Sequence, residues 1–261
     1  MAAPHKMNIL VTGASGFVGK NLLSQLRNIR DGKAKNYAVE GDLTLYEYDL
    51  GSTPEELDLY CKNADFVFNL AGVNRPQDPA ELLKGNFGFA STLLDTLKKH
   101  GNTCPVMISS SIQASLDNPY GESKRAGEQL LFDYAEETGA KVLVYRFPNL
   151  FGKWCRPNYN SAVATFCNNI ANDLPITVND PSVVMHLVYI DDVVDELIGA
   201  LTGGEHRDGD FCYVPASHRI TLGGIVDLLH SFRRMPETLE VPDTTTDGFV
   251  KKLYSTYLSY L

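Results

Sequence analysis

Three glycines in a short run, Gly13-Ala14-Ser15-Gly16-Phe17-Val18-Gly19, stand directly behind the apolar segment Ile9-Leu10-Val11. Behind them, Leu22, Leu23 and Leu26 recur at helical spacing. A buried strand that turns at once into a helix brings backbone close to whatever lies on the turn. A Cβ at the closest points would clash, so glycine is required there. The helix that follows presents unpaired N–H groups and the positive end of its dipole, which suits a pyrophosphate. The strand–glycine–helix context predicts a dinucleotide cradle made by Gly13, Ser15, Gly16, Phe17, Val18 and Gly19.

The segments after this turn alternate in type. Strands are expected at Met7–Thr12, Leu43–Tyr48, Phe66–Leu70, Val106–Ser109 and Val142–Arg146. Helices are expected at Gly19–Ile29, from Thr53-Pro54-Glu55-Glu56 onward, at Ala80–His100 and at Tyr120–Thr138. This rhythm predicts an α/β fold, a doubly wound parallel sheet of the Rossmann type with helices on both faces. From Pro148 the texture turns to Pro, Asn and aromatic residues. There a helix at Ala162–Ala171 and a strand at Ile176–Val178 are expected, followed by Leu187-Val188-Tyr189-Ile190-Asp191-Asp192-Val193. The division expected is a dinucleotide-binding domain over 1–147 and a small C-terminal substrate-binding lobe over 148–261 that partly returns to the main sheet. The Tyr- and Leu-rich tail after Val250 reads as an amphipathic helix packed on the body or on a further domain.

Composition narrows the partners. With 261 residues and 44% apolar content, the chain can bury a sizeable core. Its net charge of −9 argues against nucleic acid or an anionic membrane as a general partner, while a local basic pocket can still take an anionic substrate. No apolar stretch is long enough to span a membrane, and Met1–Asn8 lacks a signal-peptide core. The five scattered cysteines form no Cys-x-x-Cys, and no histidine pair has metal spacing, so reduced thiols, a cytoplasmic setting and no metal are expected.

Two further sites point to chemistry. Asp49 ends the second strand, where an acid in a dinucleotide fold accepts hydrogen bonds from the adenosine ribose and would repel a 2′-phosphate. Leu50-Gly51-Ser52 follow it with no cation, which favours NADH over NADPH. Leu70-Ala71-Gly72 ends the third strand with small residues along which the cofactor can lie. Tyr120 and Lys124 stand four apart on one helix face, so the ammonium can stabilise the phenolate and hold the nicotinamide ribose. Ser109-Ser110-Ser111 closes the fourth strand at the edge where such sheets bind ligands, and one of its hydroxyls can bond the substrate oxygen. These elements together predict hydride transfer with a proton from Tyr120.

The glycine turn, Tyr120-x-x-x-Lys124, Arg146-Phe147-Pro148-Asn149-Leu150-Phe151-Gly152 and Tyr189-Ile190-Asp191-Asp192-Val193 resemble the extended short-chain dehydrogenases/reductases of the NAD-dependent epimerase/dehydratase type. That resemblance implies a nucleotide-sugar substrate and Ser111 as the catalytic serine, with Ser110 the second choice. Leu70 to Pro76, Ser109 to Gln113 with Asp117 to Lys124, Asn149 to Cys155, Pro157 to Asn160 and Tyr254 to Leu261 are similar to the reductase half of bifunctional capsular polysaccharide enzymes. Those enzymes join a ketoreductase to a C-terminal cupin that epimerises the sugar at zinc. The implied activity is NAD(P)H-dependent reduction of the 4-keto group of a UDP-linked 2-acetamido-6-deoxyhexosamine. The implied cofactor contacts add Leu50, Ser109, Tyr120, Lys124 and Pro148. The implied substrate contacts are Asn74, Arg75, Ser111, Asn149, Lys153 and Arg156.

This sequence departs from the pattern in three ways. It stops where the cupin would begin, so epimerisation and its zinc are expected to be absent. The resemblance favours NADPH, against the reading of Asp49. Met185-His186 sit where relatives carry a phosphate-binding arginine, which leaves Arg156, Lys153 or Arg75 to meet a UDP pyrophosphate.

Other residues have plainer readings. Trp154 could stack on a base or sugar, or pack in a core or interface. His186 reads as a core histidine before a substrate contact, and Asp191 and Asp192 as a helix cap and first-turn acid. A nucleotide-sugar epimerase or dehydratase that recycles its cofactor is the alternative enzyme. Ser111-Ile112-Gln113-Ala114 lacks the Asp-Glu pair that a 4,6-elimination uses. A non-catalytic dinucleotide sensor is the alternative of another class, and it would need the cradle but not Ser111, Tyr120 and Lys124. Finally, Phe87, Phe89, Leu93, Leu94 and Leu97 on one long helix, and Leu130, Leu131, Phe132 and Tyr134 on another, exceed one apolar stripe. That predicts a homodimer through a four-helix interface.

Overall fold

The computed structural model describes residues 6–39, 42–72, 87–243, 245 and 248–261. The chain falls into two compact units, one of residues 1–147 with 194–213, the other of residues 148–193 with 214–261.

The first unit carries a seven-stranded sheet. Its strands are β1 (Met7–Thr12), β2 (Leu43–Tyr48), β3 (Phe66–Asn69), β4 (Val106–Ser111), β5 (Val142–Phe147), β8 (Arg207–Asp208) and β9 (Phe211–Cys212). Their order is β2-β1-β3-β4-β5-β9-β8, and every neighbouring pair is parallel except β8–β9. The near-continuous apolar runs Ile9-Leu10-Val11 and Phe66-Val67-Phe68 are what a sheet covered on both faces demands, and all six residues are buried. Strand order reverses between β1 and β3, and in open α/β sheets that reversal opens a crevice at the carboxyl ends of the strands.

Helices α1 (Phe17–Arg30), α2 (Pro54–Asn63), α3 (Phe89–Lys99) and α4 (Pro119–Thr138) belong to this unit. Their starts follow from local chemistry. Thr53 and Glu56 form a reciprocal capping box with Pro54 in the first turn. Asn118 caps α4 by accepting from the Gly121 N–H at 2.8 Å, with Pro119 next. Gly139, at φ +74°, ends that helix in the left-handed conformation. One face of the core joins Leu57 and Cys61 of α2, Leu93, Leu94 and Leu97 of α3, and Leu131 and Tyr134 of α4 over Leu10, Val67 and Val144 of the sheet.

The second unit has its own core and a three-stranded sheet, β10 (His218–Thr221), β7 (Val184–Tyr189) and β6 (Asn149–Phe151), in that order. Helices α5 (Ala162–Ala171), α7 (Leu222–Thr238) and α8 (Gly248–Leu258) pack together through Val163, Phe166, Cys167, Ile225, Leu229, Phe232, Leu253 and Tyr257. The aromatic-rich tail is thus a helix whose apolar stripe is covered inside this unit. In sequence, α6 (Ile190–Ala200) begins in the second unit and continues into the first. Asp191 and Asp192 both lie in its first turn.

Several expectations are corrected. Ile176–Val178 forms no strand. Ile176 and Val178 do point alternate apolar side chains onto the core, but no neighbouring strand offers them a ladder. The Ser109 boundary of β4 moves to Ser111, because β5 pairs with it as far as Ser111↔Phe147. Residues 80–86 of the long helix expected at Ala80–His100 lie outside the described residues.

The apolar surplus that suggested a dimer is largely consumed within the unit. Phe89 stacks on Tyr48 at 5.6 Å, and Phe132 meets Phe211 edge-on at 5.9 Å. Leu93, Leu94, Leu97, Leu131 and Tyr134 are buried, which leaves only Phe87 of the nine exposed. Among the described residues no helix is long and apolar enough to cross a membrane.

Candidate active site

The glycine turn lies at the carboxyl end of β1, at the reversal of strand order. Gly13 has φ +67°, and a Cβ there would stand 2.7 Å from the Ala71 nitrogen and 2.8 Å from the Leu70 carbonyl at the end of β3. A Cβ on Gly19 would stand 2.2 Å from the Gly13 oxygen. Both contacts are with backbone, which cannot swing aside. Gly16 precedes α1 without a side-chain cap, and no acid stands in the first turn. The N-terminal N–H groups there are not taken by a side chain, as an anion-binding turn requires. Thr12 and Asn69 join the ends of β1 and β3 through a 2.7 Å hydrogen bond, and the Ala71 N–H donates to Thr12 Oγ1 at 3.3 Å.

Asp49 follows β2. Its carboxylate accepts from the Ser15 N–H at 2.6 Å and from the Leu50 N–H at 2.8 Å. Burial pushes this carboxyl upward, but the two backbone donors, the Ser15 hydroxyl and the Lys20 charge together hold it below the usual range. Asp49 is therefore ionised and fixes the glycine loop directly, a second task that the strand-end position did not reveal. The Leu50 side chain is fully exposed.

The serine run, Tyr120 and Lys124 converge. Ser111 ends β4, and its Oγ accepts from the Gln113 N–H at 3.2 Å. It also shares a side-chain hydrogen bond with Tyr120. Lys124 is buried, and its Nζ donates to the Ser109 carbonyl at 3.3 Å, 5.6 Å from the centroid of the Tyr120 ring. Burial lowers the Lys124 ammonium to about 8, against the pull of the Glu128 carboxylate. Burial likewise raises the Tyr120 phenol, with the Ser111 hydroxyl working the other way. The lowering of Tyr120 expected from Lys124 is thus not present in the protein by itself, where desolvation of the phenolate dominates.

Ser110, the second choice for the catalytic serine, faces elsewhere. Its hydroxyl donates to Glu128 Oε1, and Glu128 is also gripped by Arg146 at 2.8 and 2.6 Å. Removing one partner from such a buried pair costs about 3–5 kcal/mol, so Ser110 belongs to an anchor. The loop from Ser111 to Tyr120 is held by Arg125, which donates to the carbonyls of Ala114 at 2.7 Å and Leu116 at 2.9 Å. Glu128 and Arg125 were missed as participants. Their signals were a carboxylate one turn beyond Lys124 and a cation beside it, both of which read equally well as a solvated helix face.

In the second unit, Asn149 donates to the His186 carbonyl at 3.4 Å, and Lys153 pairs with Asp191 at 2.8 Å. Arg156 lies over the Tyr159 ring at 5.3 Å. Asp192 pairs with Lys252 at 2.6 Å. Trp154 is half exposed, which places it outside the core, and its backbone is left-handed at φ +67°. Burial lowers the His186 imidazole, with Arg219 from the paired strand adding to the effect. Pro148 opens this unit, and Asn74 and Arg75 lie outside the described residues. Among the described residues, no three His, Cys, Asp or Glu side chains are placed to hold a metal.

Residues 9–211 match the NAD dependent epimerase/dehydratase family. The chain belongs to that family. It is 41% identical over 255 residues to a UDP-2-acetamido-2,6-beta-L-arabino-hexul-4-ose reductase of Pseudomonas aeruginosa, an alignment covering 98% of this chain and 65% of that protein. A UDP-glucuronate 4-epimerase 6 of Arabidopsis thaliana is 27% identical over 249 residues, 79% of this chain and 54% of the relative. Among solved structures, the capsular polysaccharide assembling protein CapF of Staphylococcus aureus superposes with a TM-score of 0.86 at 45% identity, covering 98% of this chain and 65% of that one. This family member thus spans 65% of the length of the P. aeruginosa reductase and of CapF.

The cradle fits a dinucleotide, because both glycine positions lack space for a Cβ and an uncapped helix end follows. Gly19→Ala is predicted to abolish NAD(P)H binding, with affinity down by about 100-fold or more, since the new methyl forces the turn open against the Gly13 carbonyl. Calorimetric titration checks it, and near-normal affinity would contradict the assignment.

Proposed function

We propose that this chain reduces the 4-keto group of a UDP-linked 2-acetamido-6-deoxyhexosamine with NAD(P)H, in the synthesis of surface polysaccharide precursors. The observation that carries the reading is the Ser111–Tyr120 hydrogen bond beside the buried Lys124 ammonium. The sugar class is supported by the 41% identity to a reductase named for UDP-2-acetamido-2,6-beta-L-arabino-hexul-4-ose. A reduced nicotinamide, when bound, supplies the hydride to the carbonyl carbon.

The chain's own residues supply the rest. Ser111 donates a hydrogen bond to the carbonyl oxygen and orients it towards Tyr120. The Tyr120 phenol gives its proton to that oxygen as negative charge develops, which is general acid catalysis. Lys124, kept positive, favours the phenolate that remains. Gly13, Ser15, Gly16, Phe17, Val18 and Gly19 hold the pyrophosphate, and Asp49 with Leu50 holds the adenosine ribose. Leu70, Ala71, Gly72, Ser109 and Pro148 complete the cofactor contacts. Asn74, Arg75, Asn149, Lys153 and Arg156 are proposed substrate contacts, the cations among them serving the diphosphate. The proposal carries a cytoplasmic setting with it.

Two outcomes are predicted. Tyr120→Phe retains cofactor binding while kcat falls by about 10²-fold or more, because the phenol proton is needed only as the transition state forms. Steady-state kinetics on the 4-keto sugar measure this, and turnover near that of the parent would remove Tyr120 from its role. In the same proteins NADH binds more tightly than NADPH, by about tenfold, because the ionised Asp49 repels a 2′-phosphate. Parallel titration with both cofactors decides it, and a clear NADPH preference would refute the reading of Asp49.

A further inference from the structure

One buried carboxylate in the first unit is used by none of the steps above. Glu128 sits one turn beyond Lys124 on α4 and is 3% exposed. It receives three hydrogen bonds, one from Ser110 on β4 and two from Arg146 on β5. Ser110 and Arg146 are register partners across the β4–β5 ladder, so the carboxylate clasps both strands at the same level. The Arg146 guanidinium lies 3.7 Å from the centre of the Phe211 ring on β9, which extends the clasp to a third strand.

The place of this clasp is what matters. Ser110 lies between the two residues of β4 that touch the catalytic groups. The carbonyl of Ser109 receives Lys124, and the hydroxyl of Ser111 meets Tyr120. Side chains alternate along a strand, so anchoring Ser110 to Glu128 fixes the direction in which Ser109 and Ser111 present their groups. Glu128 and Lys124, four apart on one helix, also face one another as opposite charges.

We propose that Glu128 is a positioning residue for the catalytic set. It holds the end of β4 in place through Ser110, and its carboxylate faces the Lys124 ammonium from one turn away on the same helix. This inference rests on the catalytic roles given to Ser111, Tyr120 and Lys124.

Among the described residues, the charges around Lys124 are few. On its own helix it faces Tyr120 and Glu128. From β5, Arg146 reaches it only through Glu128. β4 ends in three serines, and the turn Ile112–Ser115 carries no ionisable side chain. On α3, Asp95 and Lys98 are engaged with one another and with Glu137 at the far end of α4. Burial drives Lys124 down to about 8, and the Glu128 carboxylate opposes that fall. Loss of that charge must shift the ammonium further in the same direction.

The test is a titration of the lysine side chains, labelled with carbon-13 at the ε position, by NMR in the full chain without substrate. The Lys124 signal is identified by its loss in Lys124→Arg. In Glu128→Gln the Lys124 midpoint is expected to fall by about half a pH unit or more, a threefold or greater loss of proton affinity. In Glu128→Asp, which keeps the charge, the midpoint stays near that of the parent. If Glu128→Gln is too unstable, the double variant Glu128→Gln/Arg146→Met is compared with Arg146→Met alone, so that the step between them removes only the carboxylate and the same fall is expected. Coincident midpoints with and without the carboxylate would overturn the electrostatic role.

Kinetics test the anchoring role. Ser110→Ala is expected to lower kcat about tenfold with cofactor affinity unchanged, since small displacements of positioned groups are costly. An unchanged kcat would overturn it. Should the parent turn over no 4-keto sugar at all, the functional reading fails, while the titration still decides the link between Glu128 and Lys124.

Discussion

At the end of β1 the backbone has no room for a side chain, and much of the first unit follows from that. Gly13 is pressed against the Leu70–Ala71 peptide of β3, and Gly19 is pressed against the carbonyl of Gly13. These two contacts draw the start of α1 in towards the sheet, at the point where strand order reverses. Asp49 reaches across from the end of β2 and holds the Ser15 N–H, so the loop is fastened on both sides. Backbone packing and the Asp49 carboxylate thus shape a turn after which the start of α1, without a side-chain cap, is left for an anion. The cost is intolerance, since even a methyl group at Gly19 has nowhere to go.

Two strands away, the chemistry depends on a different balance. Desolvation raises Tyr120 and lowers Lys124, so burial disfavours the charged form of each. The surrounding polar groups oppose it, with Ser111 at the phenol, the Ser109 carbonyl at the ammonium, and Glu128 one turn below. A site tuned in this way holds a neutral acid ready to give a proton and a cation beside it to accept the resulting charge. The same three serines serve both functions because strand alternation sends Ser110 to the anchor and Ser111 to the phenol.

Much of this was legible in the sequence. The bounds of β1 and β2, the capping box at Thr53 and Glu56, the glycine turn and the pairing of Tyr120 with Lys124 all follow from short-range rules, in which the signal lies within a few residues. What was not legible depends on contacts between distant segments. Ile176 and Val178 alternate like a strand, but only a partner strand makes one, and none is adjacent. Phe89 and Phe132 look like surplus apolar surface until Tyr48 and Phe211 are brought against them. Glu128 looks like a solvated helix charge until β4 and β5 deliver Ser110 and Arg146. Ser110 and Ser111 are held in β4 by their pairing with β5, since a serine run has no strand propensity of its own.

The central claim is that these residues carry out a net reduction rather than an internal oxidation and return. The most direct measurement is stoichiometry. The purified chain is given the UDP-linked 4-keto sugar with a limited amount of reduced cofactor, and both sugar product and oxidised cofactor are counted. The account predicts one molecule of cofactor oxidised for each 4-keto sugar reduced. Conversion of the sugar with no net oxidation of cofactor would show an epimerase or a related recycling reaction, and would contradict it.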